Sequence, residues 1–139
     1  MTGNATATPL LRRAMQIDAA VSGAGGLLLT LLPGPLSVLI GFERPAYLLA
    51  VGIGLLGYAV WLLSSARRPN VNIWAGRVVI ILNLLWVAAS AVLLLAESGL
   101  FNALGQWLVG IVAVLVADFA LVQYLGLRRV GRPAGLPAT

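Results

Sequence analysis

The chain has 139 residues, of which 60% are hydrophobic and only 9% charged, with mean hydropathy +1.00 and a net charge of +5. Soluble domains carry nearly a quarter charged residues, and a chain this short allows one domain, so a water-soluble globule is excluded. The absence of Cys and His excludes thiol catalysis, disulfide exchange, Fe–S ligation, bis-His haem and most zinc sites.

Residues 1–9 (MTGNATATP) are small and polar and read as a disordered tail. Arg12-Arg13 precede a first span over 14–32. The charged start and apolar run resemble a signal peptide, but Pro33-Gly34-Pro35 follows with no A-x-A cleavage pattern, so the helix is read as retained. Residues 36–42 (LSVLIGF) are too short to cross a bilayer and read as an apolar turn or short helix at the outer interface.

Pro45 suits a first helical position, and span two covers 46–65. After Arg67-Arg68-Pro69, Asn70 or Asn72 can cap span three, 73–96. Glu97-Ser98-Gly99 makes a short loop, and span four covers 103–127 before Arg128-Arg129. Residues 130–139 read as a second disordered tail, leaving 10–129 as the transmembrane domain. Each span holds about 20 nearly uncharged residues, enough to cross a hydrocarbon core of roughly 30 Å.

Eight arginines (12, 13, 67, 68, 77, 128, 129 and 132) fall at one set of span ends, and only Arg44 at the other. By the positive-inside rule both termini face the cytoplasm. The basic clusters are therefore topology signals before they are anionic-lipid contacts, and nucleic-acid binding is not expected.

Small residues crowd span one (Ala19, Ser22, Gly23, Gly25, Gly26) and span two (Gly52, Gly54, Gly57), as close helix approach in lipid requires. Gly52 to Gly57 also fits G-x-G-x-x-G, but a dinucleotide fingerprint needs a βαβ setting. Inside a span it reads as a packing feature. In span three Gly76, Asn83, Ser90 and Glu97 recur every seven residues, a stripe that should face protein.

Asp118 is the one charge inside span four, ten residues before Arg128 and so about 15 Å deep. A carboxylate there costs roughly 2.5–3.5 kcal/mol or more. Counting inward from the arginines puts Tyr58 and Asn83 at the same depth, with Trp86 one turn further out. These four make up an expected mid-membrane ligand or proton site. The same count puts Asp18, Gln123 and Arg77 in a shallower layer, where Asp18 and Arg77 are expected to pair. No catalytic residue or metal ligand set is expected, and the residues identify no cofactor.

The stretches VSGAGGLLL, PGPLSVLIGFERP, VGIGLLGYAVWLL and NLLWVAAS resemble those of small, functionally unassigned four-helix bacterial membrane proteins, distantly similar to the DoxX-like group. That resemblance covers most of residues 10–129. It implies a four-helix inner-membrane bundle and an accessory role beside respiratory complexes, with no catalytic residues to carry over. The small multidrug transporters, which carry a carboxylate in their first helix, are a poorer match because this chain's arginine bias is strong.

The expected architecture is all-α: a polytopic four-transmembrane-helix bundle of the bacterial inner membrane with N-in/C-in topology. A non-enzymatic interaction or accessory subunit comes first among the functions, partnered by the bilayer and by another membrane protein or a second copy. A small proton-coupled transporter or lipophilic-ligand binder using Asp118 comes second, and an enzyme third.

Overall fold

A computed structural model describes residues 8–69 and 72–130. The expected tails and Asn70 fall largely or wholly outside these residues. The described residues form helices α1 (Thr8–Leu31), α2 (Pro33–Ile40), α3 (Pro45–Ala66), α4 (Ile73–Ala96) and α5 (Ala103–Val130), with one 3₁₀ turn at Ser98–Leu100 and no strand. All four long helices are apolar and long enough to cross a membrane, over 22 to 26 residues, about 33–39 Å at 1.5 Å per residue. The molecule is an all-α polytopic bundle.

The breaks between helices follow local chemistry. Pro33 and Pro45 open α2 and α3 in first-turn positions, where a missing N–H costs nothing. Gly41 closes α2 with φ 73°, and the Phe42 N–H reaches back to the Ser37 carbonyl at 2.9 Å, the six-to-one bond of a left-handed helix stop. Asn72 caps α4, its side chain accepting from the Trp74 N–H at 2.8 Å. Asn102 caps α5 by accepting from the Gly105 N–H at 2.8 Å, and its amide donates to the Leu39 carbonyl at 2.9 Å. That pair of bonds ties the start of α5 to the short α2.

Helix α1 begins six residues before the expected start of span one. Leu11 and Met15 are fully buried, so the inward-facing stripe 11, 15, 18/19, 22 runs unbroken past Arg12 and Arg13, and the arginines sit inside the helix.

Packing is uneven around the bundle. Helix α1 lies against both α3 and α5, and α4 lies against α5, whereas α3 and α4 barely approach each other. On the α1–α3 seam backbones nearly touch. A Cβ built on Gly52 would stand 2.8 Å from the Leu29 Cβ and the Thr30 nitrogen, and one on Gly26 would stand 2.9 Å from the Gly52 carbonyl oxygen. Of the G-x-G-x-x-G glycines only Gly52 serves packing, because nothing lies within 4 Å of a Cβ on Gly54 or Gly57. Side chains with essentially no exposure (Leu11, Met15, Leu62, Val79) gather at the terminal end of the bundle, where α1 begins and α5 ends.

Candidate functional site

Each spanning helix sends a polar side chain to one point. Asp18 of α1 is 1% exposed, and its Oδ2 accepts from Tyr58 Oη of α3 at 2.9 Å, Asn83 Nδ2 of α4 at 2.9 Å and Gln123 Nε2 of α5 at 2.8 Å. Its Oδ1 accepts from Ser22 Oγ, one turn along α1, at 3.0 Å. The second amide hydrogen of Asn83 goes to Gln123 Oε1 at 2.8 Å. Asn83 is 5% exposed and Gln123 fully buried, so the network sits in low dielectric, where such bonds are strongest and an unpaired group is most costly.

The expected site is thus rearranged. Tyr58 and Asn83 do meet, but around Asp18, and Asp118 takes no part. Depth counted from arginines misplaced Asp18, since α1 starts at Thr8 and α4 at Ile73, so that Asp18 and Asn83 are each ten residues in. The contact of Leu11 with Gly76 lies on this same register. Gln123 is seven residues from the end of α5 at Val130. Asp118 is five residues further in and therefore about 140° around the helix from buried Gln123. It is exposed on the outer face of α5.

The expected Asp18–Arg77 ion pair is absent among the described residues. Arg77 is exposed on the α4–α5 side, while Asp18 is enclosed by hydroxyl and amide donors. On α4 the seven-residue stripe holds for Gly76, Asn83 and Ser90, all buried, and fails at Glu97, which is exposed past the helix end.

Asp18 at the centre and Gln123 beside it were missed in the sequence, though both carried a signal. Asp18 lies on the stripe 11, 15, 18, 22, and Gln123 on 116, 119/120, 123, 126/127, each at helical core spacing.

Above this layer, toward the α2 end, the gap between α3 and α4 is a cavity of about 550 Å³. Its walls are apolar, with Trp86 and Phe119 among them, and its polar floor is made by Ser22, Tyr58 and Asn83. Trp86, one turn beyond Asn83 on α4, stands at the cavity. No family model, curated protein or solved structure matches the chain. The site has to be read from its own geometry.

Two features of that geometry bear on chemistry. No cation touches Asp18 among the described residues, so its ionised form is held by neutral donors alone. Tyr58 Oη also lies 3.2 Å from Asn83 Oδ1, and a phenol has one hydrogen to give. With Asp18 ionised, Tyr58 donates to Oδ2. With a proton on Oδ2, Asp18 donates to Tyr58 Oη, which turns its own hydrogen to Asn83 Oδ1. The cluster is hydrogen-bonded in both protonation states.

Proposed function

We propose that the chain is a small multi-pass protein of the bacterial inner membrane, both termini cytoplasmic, that binds a lipophilic molecule between α3 and α4. Eight arginines at the terminal end against one at the other support the orientation. The observation that carries the binding reading is the cavity of about 550 Å³ with apolar walls and a polar floor. That combination of size, apolar lining and few convergent polar groups is what small-molecule sites share.

The Asp18 cluster beneath the floor fixes Tyr58 and Asn83 in place. An accessory-subunit role, as the DoxX-like resemblance implies, gives no reason for a pocket of this size between the helices, so the binding reading takes precedence.

The cavity can be filled without disturbing the packing. Gly25 and Gly54 line it, and nothing lies within 4 Å of a Cβ built on either. In a single-tryptophan protein keeping Trp86, N-phenyl-1-naphthylamine should quench its emission saturably, and Gly54→Leu or Gly25→Leu should abolish the saturable part while helix content stays unchanged. Equal saturable quenching in both filled variants would remove this reading.

A further inference from the structure

A second feature lies at the terminal end of the α4–α5 seam, away from the cavity. There a groove of about 490 Å³ is lined by Ile73, Ile80, Ile81 and Leu127 together with Arg77, Tyr124 and Arg128. Leu127 is set against the helix backbone at Gly76, 3.2 Å from where a Cβ would stand, which brings Arg77 and Arg128 to one level of the seam. Both arginines are exposed. The Arg128 guanidinium lies over the Tyr124 ring, 5.7 Å from its centroid, and an aromatic face holds but does not neutralise a guanidinium.

Among the described residues neither arginine has an acidic partner. The acids are committed or remote. Asp18 is enclosed by its four donors, Asp118 lies ten residues from Arg128 on α5, Glu97 caps the far end of α4, and Glu43 lies in the turn between α2 and α3 at that same far end. Arg77 sits four residues inside the start of α4, an otherwise uncharged apolar helix. In a bilayer its charge needs an anion at about one turn's depth below the interface. Phosphate oxygens are the anions available there, and guanidinium forks match them. The isoleucine and leucine walls run along the seam beside the two charges, as an acyl chain attached to that phosphate requires.

We propose that this groove is a binding site for one anionic phospholipid, its headgroup phosphate between Arg77 and Arg128 and an acyl chain along Ile80 and Ile81. The site is independent of the cavity and of whatever binds there. Basic pockets between spanning helices on the cytoplasmic side are suited to such headgroups.

Native mass spectrometry of the full chain tests it, with dioleoylphosphatidylglycerol or dioleoylphosphatidylcholine titrated into the micelles. One phosphatidylglycerol should be retained in preference to phosphatidylcholine, at roughly fivefold per arginine engaged. Arg77→Gln and Arg128→Gln should each remove about fivefold, and Arg77→Lys should keep more of the preference than Arg77→Gln. Arg13→Gln, which deletes a charge at the same end outside the groove, should leave it intact. An equal loss in Arg13→Gln would mean general surface charge and overturn the site. So would equal retention of the two lipids by the unaltered protein, or displacement of phosphatidylglycerol by millimolar inorganic phosphate alone.

Discussion

The terminal half of the bundle and the half nearer α2 are held together differently. The largest fully buried side chains (Leu11, Met15, Leu62, Val79, Asp18 and Gln123) all belong to the terminal half, where four helices converge on one carboxylate. In the other half the buried positions are small or polar, such as Gly52, Ser90 and Ser37, and α3 and α4 stand apart around a cavity. Lipid explains the contrast. Acyl chains solvate Leu and Val as well as another helix does, so apolar faces have little reason to close on each other. Hydrogen bonds and backbone contacts do have a reason, and the bundle is closed where it has them.

The strongest way to break that comparison is to remove its centre. Asp18→Leu deletes four accepted bonds. At roughly 0.6 kcal/mol for each of the three bonds between membrane helices, plus about 1–3 kcal/mol for a buried donor left unsatisfied, the loss should reach about 3–5 kcal/mol. Detergent-driven unfolding followed by circular dichroism would measure it. Asp18→Asn should lie between, since its amide keeps one acceptor but sets a second donor against Asn83 and Gln123. A loss below about 0.5 kcal/mol in Asp18→Leu would mean that packing alone closes the terminal half.

The other half should be sensitive at its backbone contact. Gly52→Ala puts a methyl 2.7 Å from Thr30 Oγ1 and 2.8 Å from backbone, which cannot move aside cheaply. Forced overpacking of this kind costs about 1–3 kcal/mol. Gly54→Ala, two residues along, meets open space and should be neutral, or more stable by up to about 1 kcal/mol from helix propensity. The two variants measured side by side separate packing glycines from those that leave room. A neutral Gly52→Ala would show that α1 and α3 slide freely.

Composition made the four crossings and their order legible, because runs of apolar residues broken by Pro, Gly and Arg leave few alternatives. The site was half legible. Asn83 announced itself through its seven-residue stripe with Gly76 and Ser90, and Tyr58 through its depth. Asp18 did not, because its neighbours Arg12 and Arg13 look like the end of a span, and only the burial of Leu11 and Met15 shows that the helix starts before them. Depth without azimuth also favoured Asp118, whose level is near that of Asn83 but whose direction is wrong. Rotation about a helix is set by which face packs, and an apolar span with little amphipathicity leaves that face nearly unmarked. The cavity was not legible at all, since it depends on two helices failing to meet.

A smaller effect is expected at the start of α4, where the cap is local to the terminal half. Asn72→Ala removes the bond to the Trp74 N–H and should cost about 1 kcal/mol. Hydrogen exchange should locate the change in the first turn of α4, with the amides around Asn83 unaffected. If protection at Asn83 fell as well, the cluster would depend on the cap, and the terminal half would be less self-sufficient than its buried side chains indicate.

The smallest effect should come from the acid that lies at the wrong azimuth. Asp118 is exposed on α5 and makes no contact with the Asp18 cluster. Asp118→Asn should therefore change folding stability in micelles by less than about 0.5 kcal/mol and leave Trp86 quenching by the dye untouched. Insertion should respond instead, because a carboxylate deep in a span opposes transfer into the bilayer by roughly 2.5–3.5 kcal/mol. A glycosylation-based insertion assay on the isolated α5 segment should give more of the inserted form with Asn. If the full-length variant instead lost dye binding or unfolded early, Asp118 would have to face protein in the assembled state, and the contrast between a closed polar half and an open apolar one would need a second bundle to complete it.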